Sequence, residues 1–161
     1  MSGLHARTSQ RRIGCIKMVR SSVIVRDNVI VTVFENGRAI NRFTAHNTWG
    51  TAGLNSIRDW FAGIGGTPVT HIAWADASGN EWARDLVTQR VYTSDKTLLI
   101  RQYLSSASTA NGHTITTVRA YNAQSGGTMF AEAVFDAVGV AKTTNNQITV
   151  EWTHTFADGG S

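Results

Sequence analysis

From Ile148 to Phe156 the chain alternates without a slip: Ile148, Val150, Trp152, His154 and Phe156 are interleaved with Thr149, Glu151, Thr153 and Thr155. Successive side chains of a β-strand point to opposite faces, so a period of two specifies a strand with one apolar and one polar side. Such a face must be covered by a second layer, and Ile148, Val150, Trp152 and Phe156 are expected to point into that core. A second run supports the same reading. Val29, Val31 and Val33 alternate with Ile30, Thr32 and Phe34, and the run ends at Asn36-Gly37, where both residues tolerate positive φ and signal a two-residue hairpin. Arg38–Phe43 is the expected return strand.

Further along, short segments and turn signals follow one another. Val69–Ala75 reads as a strand and 77–80 as a turn, while 81–85 fits a helical turn or an irregular crossing equally well. Leu86–Thr93 and Thr97–Leu104 flank Ser94-Asp95-Lys96 as a hairpin. Asn111-Gly112 introduces His113–Tyr121, and Ser125-Gly126-Gly127 turns the chain into Thr128–Phe135. One helix is predicted, over about 51–63: Thr48 or Thr51 can cap it, Leu54, Ile57, Trp60 and Phe61 fall at helical spacing, and Gly63 with Gly65-Gly66 ends it. That helix is expected to close one end of the β core. Eight or nine strands without a βα alternation predict a mostly β chain, an antiparallel β-sandwich or jelly-roll-like barrel. Fifteen glycines against a single proline suit many short strands joined by turns.

The 161 residues suffice for one domain. The longest apolar segment, Val29–Phe34, already contains Thr32 and falls far short of the roughly 20 residues of a membrane helix, so no membrane partner is expected. One cysteine, Cys15, cannot supply a disulfide framework or a Cys-based zinc site within one copy.

The net charge of +4 is unevenly distributed. Arg7, Arg11, Arg12, Lys17, Arg20 and Arg26 precede the first acid, Asp27, and the remainder holds nine basic against eleven acidic residues. The sequence therefore divides into a basic N-terminal arm, 1–26, a β domain, 27–157, and a short tail, 158–161. A uniformly basic groove is not encoded, which argues against direct nucleic-acid binding. The start of the arm is acid-free and Arg- and Ser-containing like a transit peptide, but it lacks the apolar stretch of a secretory signal. The favoured reading is an extended anchor on neighbouring subunits. Ile13, Ile16 and Met18, with Cys15 and Val19, supply apolar contacts, and Arg7, Arg11, Arg12, Lys17 and Arg20 fix the register.

Catalysis needs an acid, base or nucleophile grouped with an orienting partner, and no such grouping is evident. His5, His46, His71, His113 and His154 are scattered, with no pair at i,i+2 or i,i+4 to present two imidazoles on one face, so no metal is expected. His154 lies on the apolar side of the last strand and reads best as a hydrogen-bonded or rim histidine. Asp76, Glu81 and Asp85 are the carboxylates that offer a glycosidase-like pair, although acids here are more often solvated or bridged to neighbours such as Arg84. The Gly63–Gly66 and Ser125–Gly127 stretches lack the Lys-Ser/Thr of a phosphate loop and read as turns. No catalytic residue and no cofactor is expected. Among the tryptophans, Trp60 and Trp152 read as core. Trp49, Trp74 and Trp82 are less constrained and keep open an aromatic platform for sugars or an oligomer interface.

Five segments in order carry a resemblance: Gly53-Leu54-Asn55-Ser56-Ile57-Arg58-Asp59, Thr70-His71-Ile72-Ala73-Trp74, Asn111-Gly112-His113-Thr114-Ile115, Tyr121 through Ala131, and Ile148 through Phe156. Over roughly Val29 to Phe156 the chain resembles the small β-rich structural proteins of tailed-bacteriophage virions. Where that family usually continues with Gly-rich residues, this chain has Trp74-Ala75-Asp76. The resemblance implies a non-enzymatic virion protein. A capsid cement or decoration subunit is the first expectation and a tail, baseplate or fibre-attachment protein the second, with a carbohydrate-binding module as the alternative from another class. The implied partners are the major capsid protein or tail proteins and other copies of the chain, in a symmetric homo-oligomer whose expected form is a trimer.

Overall fold

A computed structural model of the protein describes residues 23–158. In chain order the elements are β1 (Val23–Glu35), β2 (Arg38–Ala45), β3 (Thr48–Trp49), α1 (Thr51–Phe61), β4 (His71–Ala75), β5 (Glu81–Leu86), β6 (Gln89–Ser94), β7 (Thr97–Leu104), β8 (Thr114–Ile115), β9 (Thr117–Tyr121), β10 (Met129–Val134), β11 (Val140–Ala141) and β12 (Asn146–Asp158). Two five-stranded antiparallel sheets result, ordered β2-β1-β12-β7-β6 and β3-β10-β9-β4-β5, with β8 and β11 as a separate pair. The hairpins β1–β2, β4–β5, β6–β7 and β9–β10 each stay within one sheet, and the chain crosses between the sheets from β2 to β3, from β5 to β6, between β7 and β9, and between β10 and β12. The architecture is a mostly β antiparallel sandwich.

The first sheet follows the alternation closely. Asn36 and Gly37 take φ of 50° and 75°, the left-handed pair that a two-residue hairpin matching the strand twist requires. Val29, Val31 and Val33 lie opposite Trp152, Val150 and Ile148, and all six are buried. On the outer face Ile30, Glu151, Arg101 and Gln89 form one cross-strand row, in which Arg101 donates to both Glu151 and Gln89. Phe156 departs from expectation. The ladder to β7 ends at Thr97↔Thr155, so Phe156 lies past the packed part of the sheet and is exposed.

In the second sheet β4 is buried on both faces: Ile72 and Trp74 face the first sheet, while Ala73 is covered on the outside. Its cross-strand neighbours are Arg84 and Arg119, whose long stems cover an alanine between them. Trp74 joins the layers, since its Nε1 donates to Gln102 Oε1 on β7 at 2.7 Å. The segment 81–85, ambiguous between a helical turn and a crossing, is the strand β5.

Helix α1 corrects two expectations. Its N-cap is Gly50, without a side-chain cap; Thr48 belongs to β3 and Thr51 is already helical. Nor does its apolar stripe close the core. The helix docks on β10 through bare backbone at Gly53, the one buried residue it has, where a Cβ would stand 2.4 Å from the Phe130 carbonyl oxygen. With that approach fixed, Leu54, Trp60 and Phe61 are left in solvent, so Trp60 is not core. The helix stops where glycine was expected to stop it: Gly63 has φ 68°, its N–H bonds Trp60 O, and the Ile64 N–H bonds Asp59 O, closing a Schellman motif.

Candidate functional site

The outer face of the second sheet gathers the densest set of charged side chains described. Register aligns Arg84 on β5, Ala73 on β4, Arg119 on β9 and Glu132 on β10 in one row, with Tyr121 in the next. Between Trp74 and Ala75 the pairing slips, so that Trp74 faces Ala83, Ala75 faces Glu81, and Trp82 is the extra residue of a β-bulge. Bulges bend a strand and re-aim a side chain, and here the bulge leaves Glu81 facing the arginines.

Glu81 then accepts on every side. Tyr121 donates to it at 2.6 Å, Arg84 Nε at 3.1 Å with Arg84 Nη2 alongside, and Arg119 Nη1 at 3.4 Å. Arg119 Nε also donates to Glu132 at 2.6 Å. Arg84 lies over the Tyr121 ring, 3.6 Å from its centroid, and its Nη1 donates to Gly126 O at 2.9 Å and Ala123 O at 3.3 Å. The guanidinium therefore pins the 122–128 loop to the sheet. That loop depends on glycine at 127, where φ is 74° and a Cβ would stand 2.6 Å from Asn122 Oδ1.

Burial pushes the Glu81 carboxyl up, but the bonds from Tyr121 and Arg84 and the Arg84 charge outweigh it and hold the group below its ordinary value. Burial and the Glu81 carboxylate raise Tyr121, which stays a donor. Asp76 is lowered chiefly by the Asn80 side-chain amide, and it also accepts from the Ser78 N–H and, at 3.0 Å, from Trp82 Nε1. A glycosidase must keep one carboxyl protonated near neutrality. Asp76 and Glu81 are instead held ionised with their lone pairs engaged, and Asp85 is exposed.

Beside this network lies a depression of about 430 Å³ lined by Glu81, Trp82, Arg84, Thr109, Gln124 and Ser125. The Trp82 indole stacks on His113 with centroids 3.5 Å apart and planes 8° from parallel.

A second cluster explains His154. Asp27 stands opposite it in the β1–β12 register, and Asp27 Oδ1 meets His154 Nδ1 at 2.5 Å while Trp49 Nε1 donates to Asp27 Oδ2 at 2.5 Å. Both partners of the Asp27–His154 contact are buried. His154 is thus a hydrogen-bonded histidine at the edge of the core, as the sequence favoured, but its partner lies 127 residues away and Trp49 is consumed in the same cluster. Of the tryptophans left open, Trp74 is core, Trp49 a hydrogen-bond donor, and Trp82 lines the depression.

Among the described residues no group of three or more His, Cys, Asp or Glu is placed to hold a metal ion, and no helix is long and apolar enough to cross a membrane. The anchor residues Arg7, Arg11, Arg12, Ile13, Ile16, Lys17, Met18 and Arg20 lie outside the described residues. Strand β1 starts at Val23, within the segment assigned to the arm. Comparison with known proteins finds no matching family, no matching curated protein and no matching solved structure.

Proposed function

We propose that the chain is a non-enzymatic structural subunit of a tailed-phage virion, a capsid cement or decoration protein that forms a symmetric homo-oligomer and is tethered to neighbouring capsid subunits by its basic N-terminal segment. The observation that carries the assembly role is the apolar patch on and just after α1, where Trp60 is 64%, Phe61 77% and Ile64 76% exposed, with the exposed Leu54 two turns earlier on the helix. Contiguous exposed aromatics mark interaction surfaces, and Trp and Phe are enriched at interface cores. The occupant assigned to the patch is a second copy. The charged residues of α1 are Arg58 and Asp59, which pair with each other at 2.6 Å, so the helix carries no net charge to repel its symmetry mate. The five-segment resemblance supplies the virion setting, and the ionised, fully bonded state of Glu81 and Asp76 favours a non-catalytic role.

Sedimentation tests the assembly. The full chain is expected to run as a closed oligomer, with a trimer as the expected form, and Trp60→Ser with Phe61→Ser is expected to run as a folded monomer. A wild-type chain that stays monomeric at high concentration overturns the reading. For the tether, particles stripped of this protein should rebind the full chain but not a variant lacking residues 1–17. Arg→Glu changes at Arg11, Arg12 and Arg20 should weaken rebinding more at low salt than at high salt. Equal decoration by the truncated chain removes the anchoring role.

A further inference from the structure

We propose that the depression beside Trp82 binds a neutral saccharide. Its volume, about 430 Å³, lies in the range of roughly 300–1,000 Å³ usual for small-molecule sites. Its chemistry narrows the class. The β-bulge on β5 displaces Trp82 from the regular pleat, Asp76 holds its Nε1, His113 covers one face of the indole and the ring packs partly against the core, so the part that lines the depression is a fixed aromatic surface. The adjoining wall is equally fixed, because Arg84 is bonded to Glu81, Ala123 O and Gly126 O and stacked on Tyr121. Binding to walls that are already ordered spends little entropy on the protein side.

Charge decides between ligand classes. Arg84 and Arg119 face Glu81 and Glu132, two cations against two anions in contact, and the ionised Asp76 on the Trp82 indole adds a further negative charge, so the site offers no positive field to hold a phosphate, a sulfate or a sialic acid. An apolar ligand fits no better, since it would lay hydrocarbon against these ionised groups. A pyranose presents a C–H face that packs on an aromatic ring and a rim of hydroxyls that both donate and accept. The exposed Gln124 amide and Ser125 hydroxyl at the mouth supply the matching donors and acceptors. The site is separate from the α1 patch and does not rest on the assembly role.

The test presents the full chain to an array holding neutral hexose and N-acetylhexosamine oligosaccharides beside sialylated and sulfated ones. The strongest neutral binder is then titrated while the Trp82 indole resonance is followed. Neutral glycans are expected to be retained, with Kd between roughly 10 μM and 1 mM, and to shift that resonance. Trp82→Ala should abolish binding. Because Trp82 also packs internally, the deciding variant is Gln124→Ala with Ser125→Ala, two exposed positions; it should keep the wild-type melting temperature and weaken binding about tenfold. The Trp60→Ser, Phe61→Ser variant should bind per subunit as wild type does. No retained neutral glycan, a preference for the acidic glycans, or unchanged binding by the Gln124, Ser125 variant overturns the proposal.

Discussion

Trp74→Ala is expected to lower the unfolding free energy by about 3–5 kcal/mol, the usual loss on emptying a large aromatic site. Trp74 is fully buried between the sheets, and truncation also strands the Gln102 Oε1 that its indole bonds at 2.7 Å. Gln102 is itself buried, so the orphaned acceptor adds roughly 1–3 kcal/mol where no water reaches it. A comparison with Trp152 separates packing from hydrogen bonding. Trp152 is buried to the same degree on β12, but its Nε1 has no partner. Trp74→Phe should therefore cost at least about 2 kcal/mol, because it orphans Gln102, whereas Trp152→Phe relieves an unpaired N–H and should cost under about 1.5 kcal/mol. Urea denaturation of the two phenylalanine variants checks the ranking. Equal losses would mean that the bond between Trp74 and Gln102 contributes nothing across the sandwich.

The difference between the two sheets explains how far the sequence could be read. Strand β12 is central in its sheet and has one outer polar face, so each residue meets either core or solvent and the alternation survives intact. Strand β4 is paired on both sides as well, between β9 and β5, but Arg84 and Arg119 cover Ala73 from outside, which erases the alternation. On β5 the bulge at Trp82 breaks the period of two, and that is why 81–85 could be taken for a helical turn. Helix α1 was legible in extent and misread in burial. Hydrophobic spacing cannot disclose that the contact with β10 is made by a glycine, or that Trp60 and Phe61 stay outside as a result. The candidate site was legible in its local members, Glu81 with Arg84 and the neighbouring Asp76 and Trp82. Its other members, Arg119, Tyr121 and Glu132, arrive on strands about 40 to 50 residues along, through pairings that no local pattern encodes.

The second large effect is expected at Lys142, a residue with no marked sequence signal. Its side chain is 0% exposed, and the ammonium donates to Asn111 Oδ1 at 2.8 Å, Thr143 O at 2.6 Å and Asn146 O at 2.9 Å. Three neutral acceptors fill its three donor positions, while the Lys142 backbone bonds Gly112 and His113, so one residue fastens the 111–113 turn to the start of β12. Lys142→Ala leaves a cavity and three unpaired acceptors together, and a loss of about 3–5 kcal/mol is expected. Lys142→Met keeps most of the volume and should cost about 1–3 kcal/mol for the acceptors alone. Both variants also remove a pH dependence that wild type should show. Burial lowers the Lys142 pKa below its ordinary 10.5, so between the folded value and 10.5 the unfolded chain binds more protons than the folded one. Stability from this group is therefore present above 10.5 and lost as the pH falls through the lowered value, and wild type should gain on the methionine variant as the pH rises from neutral toward 10.5. Denaturant midpoints across that range measure the gap. A gap that stays constant would mean that Lys142 is not held as a desolvated cation, and a loss below about 1 kcal/mol for Lys142→Ala would mean that the fastening is not made there. Because His113 also stacks on Trp82, loosening this turn should broaden the Trp82 indole resonance before any global unfolding begins.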